Sequence, residues 1–198
     1  MLHEVHNVLT EKECQLIINY GKPLLERCKV VDNDSKKQTE IDHRRTSSQT
    51  ALITSELPSD LRKLVVKIKT ILSEICGYPI QNQETLTLLN YKVGQEYKPH
   101  WDYFIEDTIY FKNQQKYGGQ RKISFLIYLN DVEEGGETTY PHLNVDIKPE
   151  VGKVLMHHNH HSGKTLESSL HGSKPVIKGE KWVLVCWVRE NEWRSRTK

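Results

Sequence analysis

Residues 86–104 read LTLLNYKVGQEYKPHWDYF, and how this run is parsed decides the fold. Aromatic and β-branched residues broken by the turn signal at Gly94 spell a strand, a turn and a short extended segment. On an extended segment side chains two apart point to the same face, so His100 and Asp102 converge while Trp101 points away. A helix would separate them. Taken alone, His-x-Asp is a short pattern that arises by chance, and its bland reading is a solvated histidine beside an aspartate.

Residues 169–190, SLHGSKPVIKGEKWVLVCWVRE, strengthen the functional reading. They place His171 before a proline-containing turn and Lys181 at the start of a strongly apolar strand. Two imidazoles and one carboxylate suit Fe(II) that keeps open positions for an oxidant and a co-substrate, so His100, Asp102 and His171 point to iron-dependent oxygenation. Along the strand Lys181, Val183, Val185, Trp187 and Arg189 share one face, and Trp182, Leu184, Cys186 and Val188 the other. Both faces look buried. A charged lysine there calls for a partner carboxylate, from the protein or from an acidic co-substrate, unless it reaches solvent at the strand end.

Working outward, Thr10 and Glu13 form a capping-box signature before an apolar-periodic stretch through Leu16, Ile17 and Tyr20, with Pro23 interrupting it. Pro58 and Ser59 open a second helix, whose apolar positions Leu61, Leu64, Val65, Ile68, Ile71, Leu72 and Ile75 keep helical spacing up to a C-cap at Gly77. The polar residues 32–49 read as a loop, as do residues 107–121 with their Gly118-Gly119 pair. Strands are expected at 85–91, 122–130, 145–148, 151–156, 170–177 and 182–189. Helices first and strands later make the chain α+β, with helical support over about 8–77 and a strand-rich core over about 85–190, in one domain spanning 1–198.

The chain has 198 residues and a formal net charge of +2, which is long enough to bury a good core and too weakly charged to argue for nucleic acid. The basic tail from Arg189 to Lys198 reads as a solvated terminus. Four cysteines, Cys14, Cys28, Cys76 and Cys186, lack C-x-x-C spacing and favour reduced thiols over a zinc site or disulfides. The N-terminus lacks a signal-peptide pattern and no apolar run is long enough to span a bilayer, so a cytoplasmic protein without membrane partners is expected. Oligomeric state, monomer or homodimer, stays open.

Three blocks in this order, YKVGQEYKPHWDYF, YLNDVEEGGETTYP and LHGSKPVIKGEKWVLVCWVR, resemble the prolyl 4-hydroxylase family of 2-oxoglutarate and Fe(II)-dependent dioxygenases, especially its small bacterial, algal and viral members. The resemblance runs from about Val8 to Arg189. It implies a double-stranded β-helix, or jelly roll, buttressed by the N-terminal helices. It implies His100, Asp102 and His171 as iron ligands, Lys181 as the partner of the 2-oxoglutarate C5 carboxylate, and Tyr91, Tyr128 and Thr138 as further co-substrate contacts. It also implies Fe(II), 2-oxoglutarate, O2 and ascorbate as cofactors, and hydroxylation of peptidyl proline in a proline-rich or collagen-like chain with release of succinate and CO2. Arg45, Ser47, Glu84, Tyr97, Trp187 and Arg189 match positions lining the peptide groove in similar enzymes. Trp101 departs from the tyrosine many members carry.

Two other readings stay open on sequence: the same iron chemistry on free proline, another amino acid or a different protein side chain, and a non-catalytic metal-binding interaction module. The cluster His157, His158, His160 and His161 is read as a surface loop following a strand, not as the metal site, because only His171 has the lysine at the right offset. Residues 133–141 lack the ending and the following helix of a phosphate loop.

Overall fold

The computed structural model describes residues 2–28 and 43–194. Residues 32–42 of the expected loop and residues 195–198 of the expected basic tail lie outside the described residues. Thr10 completes its capping box, its hydroxyl accepting from the Glu13 N–H at 3.3 Å while the Glu13 carboxylate accepts from the Thr10 N–H at 2.9 Å, and α1 (Glu11–Gly21) follows. Pro23 then turns the chain through a short 3-10 segment, Lys22–Leu24. Helix α2 (Ser59–Cys76) starts after Pro58 and stops at Gly77, whose φ of 73° lets its N–H reach the Ser73 carbonyl at 2.8 Å. The stretch 107–121 is not a single loop. Thr108 caps the Phe111 N–H at 3.0 Å and opens α3 (Ile109–Gln114).

The strands are β1 (Leu2–Val5), β2 (Glu26–Arg27), β3 (Ser48–Ala51), β4 (Thr87–Tyr91), β5 (Tyr97–His100), β6 (Arg121–Tyr128), β7 (Glu134–Gly135), β8 (Thr138–Tyr140), β9 (Val145–Ile147), β10 (Val154–His158), β11 (His160–His161), β12 (Lys164–Thr165), β13 (His171–Ser173), β14 (Val176–Lys178) and β15 (Lys181–Arg189). A major sheet runs in the order β1-β10-β6-β15-β4-β3-β2 and a minor sheet in the order β5-β13-β8-β9, with two short ribbons, β11-β12 and β14-β7. Every ladder between these strands is antiparallel, as a jelly roll requires, and among the described residues a single parallel bridge joins Val93 to Val176. The expected strand over 170–177 divides at Pro175, which has no N–H to give to a ladder.

The alternation in β15 separates two apolar clusters. Trp182, Leu184, Cys186 and Val188 pack with α1 and α2 through Ile17, Leu61, Leu64 and Ile68. Val183 and Val185 instead face the minor sheet with Leu126, Tyr128, Tyr140 and Leu155. The helices therefore stiffen the back of the major sheet, and the space between the sheets is left for the functional side chains. That space depends on a close approach of β13 to β5. A Cβ on Gly172 would lie 2.7 Å from the Tyr97 carbonyl oxygen and 3.1 Å from the Pro99 nitrogen, both backbone atoms that cannot swing aside. Gly172→Ala is expected to cost about 1–3 kcal/mol of stability and to weaken metal binding, checked by chemical denaturation and metal titration; an unchanged protein would show that the strands can part freely.

Candidate active site

His171 on β13 is the register partner of His100 on β5, which is why two histidines far apart in sequence stand side by side, their ring centroids 4.5 Å apart. Asp102 follows in the bend after β5. One ligand atom from each of His100, Asp102 and His171 lies within 4.8 Å of the others; His100 Nε2 is 3.7 Å from Asp102 Oδ1 and His171 Nε2 is 3.6 Å from Asp102 Oδ2. Each histidine has its Nδ1 on the carbonyl two residues before it, Lys98 at 3.0 Å and Ser169 at 2.9 Å. A carbonyl only accepts, so Nδ1 carries the proton and Nε2 turns a lone pair toward Asp102. This tautomer is the one a metal needs.

Protonation agrees with the tautomers. Burial lowers the His100 pKa to about 3, with His171 adding to the effect. Burial pushes the Asp102 carboxyl up, but His171, His100, His157 and Arg121 outweigh it and hold the group below the usual carboxylate range. Ser124 donates to Asp102 Oδ2 at 2.7 Å. Two imidazoles with their Nδ1 protons fixed and one carboxylate on rigid strands fit Fe(II) and leave part of its coordination sphere for other ligands.

Lys181 lies deeper, 1 % exposed. Its ammonium donates to Ser173 Oγ at 2.9 Å and Thr138 Oγ1 at 3.4 Å. Ser173 and Thr138 are themselves register partners on β13 and β8. The rings of Tyr91 and Tyr128 lie 5.3 and 5.7 Å from Nζ, and Tyr128 donates to Thr138 at 2.7 Å. Among the described residues no carboxylate pairs with this ammonium. Burial lowers its pKa to about 7, only partly countered by Glu137. Ser173, which sequence reasoning missed, follows His171 by two positions on the same strand, and strand periodicity could have found it.

The metal ligands, Lys181, Tyr91, Thr138 and Ser173 all line one cleft of about 900 Å³, whose outer wall includes Arg45, Tyr97, Trp101, Arg121 and Trp187. The groove positions expected from the resemblance divide. Arg45 stacks on Tyr97 with its guanidinium 4.8 Å from the ring, and Trp187 lies 3.8 Å beneath the Arg121 guanidinium. Ser47, Glu84 and Arg189 are buried and stand behind the wall. Ser47 Oγ accepts from Arg45 Nε at 3.4 Å. Glu84 takes a two-pronged bond from Arg121 at 2.7 and 3.0 Å and an ion pair from Arg189. A carboxylate already shared by two guanidiniums has little capacity left for a substrate, so the direct contacts expected of Glu84 and Arg189 give way to supporting Arg121 from behind. Arg189 is likewise no part of a solvated tail.

The histidine cluster also differs from the reading as a surface loop. His157 and His158 belong to β10, and His157, 1 % exposed, places Nε2 3.8 Å from Asp102 Oδ2. Burial holds it well below the ordinary imidazole pKa, with His171 adding to the effect. His160 is buried too, while His161 is exposed. The alternation that puts Leu155 between the sheets also puts His157 there; ending the expected strand at residue 156 concealed it.

Residues 86–189 match the 2OG-Fe(II) oxygenase superfamily. The chain is 35 % identical over 209 aligned residues to "Probable prolyl 4-hydroxylase 10" of Arabidopsis thaliana, covering 96 % of this chain and 68 % of the relative. It is 36 % identical to "Probable prolyl 4-hydroxylase 8" of the same plant, covering 95 % and 68 %. Among solved structures it superimposes on a viral collagen prolyl hydroxylase from Paramecium Bursaria Chlorella virus-1 in its 2OG complex with a TM-score of 0.71, 25 % identity and 95 % of both chains covered. A Pseudomonas putida prolyl-4-hydroxylase shares the fold at a TM-score of 0.66, 15 % identity, and 96 % and 92 % coverage. An Fe(II)-ready triad, a buried lysine with no carboxylate partner among the described residues and this set of relatives together make the chain an enzyme of the prolyl 4-hydroxylase family, using Fe(II), 2-oxoglutarate and O2.

Proposed function

We propose that the enzyme hydroxylates peptidyl proline to 4-hydroxyproline in a proline-rich or collagen-like chain. The observation that carries this reading is the form of the cleft: it leads from the metal ligands past a wall of aromatic and cationic side chains, Tyr97, Trp187 and the buried Arg45, to the exposed Trp101. Proline-rich segments hold an extended polyproline II form that docks on aromatic-lined grooves with little loss of chain entropy. When bound, Fe(II) with 2-oxoglutarate and O2 supplies an oxidant able to insert oxygen into an unactivated C–H bond, the co-substrate leaving as succinate and CO2. The protein's own part is positional. Lys181 with Thr138 and Ser173 seats the remote carboxylate, His100, Asp102 and His171 fix the metal, and the apolar cluster around Val183, Val185 and Tyr140 keeps water from the reacting centre.

We read residues 1–198 as one oxygenase domain, since both apolar clusters share β15. No helix among the described residues is long and apolar enough to cross a membrane. Four free cysteines favour a reducing compartment, and we place the protein in the cytoplasm on that ground. A panel of proline-rich peptides incubated with Fe(II), ascorbate and 2-oxoglutarate tests the substrate assignment by mass spectrometry. Addition of one oxygen to proline, with succinate formed in equal amount, is the expected result. Succinate formation stimulated instead by free proline or another amino acid, with peptides untouched, would overturn it.

A further inference from the structure

Asp102 Oδ2 is approached from two sides by side chains of the major sheet. His157 on β10 and Ser124 on β6 are register partners; Ser124 donates to Oδ2 at 2.7 Å, and His157 Nε2 lies 3.8 Å from the same oxygen. Behind Ser124, Asn159 donates to its hydroxyl at 2.9 Å, which leaves the hydroxyl proton for Asp102. Behind His157, the Tyr140 hydroxyl of β8 lies 2.8 Å from Nδ1. Tyr140 is fully buried, and among the described residues this ring nitrogen is the only hydrogen-bond partner of its hydroxyl. A buried phenol must place its single proton on an acceptor, so Tyr140 donates to Nδ1 and the neutral imidazole carries its proton on Nε2.

His157 is therefore the opposite tautomer to His100 and His171. Those two turn lone pairs into the site, whereas His157 turns an N–H. Its Nε2 is buried and makes no hydrogen bond among the described residues, and the acceptor it faces is the carboxylate edge that Ser124 already holds. We propose that His157 is a positioning residue for the iron ligand Asp102: locked by Tyr140, it turns its N–H toward Oδ2 from 3.8 Å, beside the bond from Ser124, and the two together fix the orientation in which the carboxylate meets the metal. A ligand carboxylate whose orientation is fixed by its partners would hold a metal more tightly than one free to turn. The inference rests on the metal centre and is independent of which substrate is hydroxylated.

The test uses the full metal-free chain and Co(II) as probe, with no peptide or turnover involved. His157→Phe, which keeps an aromatic ring but removes the donor, is expected to weaken Co(II) binding by about tenfold or more, the range for losing a partner of a metal ligand, and to shift the visible ligand-field bands. His157→Gln, whose amide N–H can reach the same oxygen, is expected to restore affinity and spectrum toward those of the parent. Tyr140→Phe leaves His157 in place but removes its lock; it is expected to weaken binding in the same direction and covers the case in which His157→Phe fails to fold. Parent-like affinity and spectrum in His157→Phe or in Tyr140→Phe would overturn the assignment, as would a Gln variant no better than Phe. Three imidazoles on Co(II) in the parent, counted by X-ray absorption, would overturn it in favour of direct ligation.

Discussion

His171→Ala is expected to abolish succinate formation from 2-oxoglutarate, whereas His158→Ala retains it close to the parent level. His171 provides one of the two lone pairs of the triad, aimed by the Ser169 carbonyl and placed against His100 by the ladder. Without it, one imidazole and one carboxylate remain, too few ligands to hold Fe(II) against water. His158 comes one residue after the buried His157, projects to the other face of β10 and is half-buried at the end of that strand, so its loss touches no group in the cleft. Succinate release and Co(II) titration on both variants check this together. Equal losses would remove His171 from its assignment as the second imidazole ligand.

Lys181→Ala is expected to raise the 2-oxoglutarate concentration needed for half-maximal turnover by tenfold to about a hundredfold, since a charge-assisted hydrogen bond in a buried site contributes about 1.5–3 kcal/mol. The pH dependence is more specific. The free ammonium, stripped of water, has a pKa of about 7. Below that pH it is already charged and the affinity for the diacid stays level. Above it the free lysine is neutral and a carboxylate can be seated only with uptake of a proton, so affinity falls by about tenfold per pH unit until the pKa of the bound state is reached. Calorimetry at pH about 8 in buffers of differing ionisation enthalpy should register that uptake, and Lys181→Ala should abolish it. An unchanged 2-oxoglutarate requirement in the variant would refute the pairing.

The legibility of this chain followed the range of the interactions involved. Local signals sufficed for α1 and α2, because the Thr10 capping box and the Gly77 terminus are written within a few residues. The two faces of β15 were legible too, since a period of two over nine residues leaves only one way to bury it. His100, Asp102, His171 and Lys181 emerged because their residue types have few other uses on apolar strands. Pairings across the sheets were hidden. Nothing near Glu84 announces that its carboxylate is shared by Arg121 and Arg189, so Glu84 and Arg189, paired in the interior, looked like groove residues. His157 was concealed by its neighbours: with His158, His160 and His161 it has the composition of a polar loop, and only the two further residues of β10 together with Tyr140 from the opposite sheet give it a buried place.

The shortness of β13 has a consequence for the choice of diacid. His171 and Ser173 are adjacent steps on one side of that strand, the first touching the metal position and the second the ammonium of Lys181. Two residues of extended chain span roughly 6.6 Å, so the metal-facing and ammonium-facing side chains leave the strand one short step apart. That step favours a short diacid able to reach both groups at once, and oxo-acids a methylene longer or shorter are expected to bind more weakly.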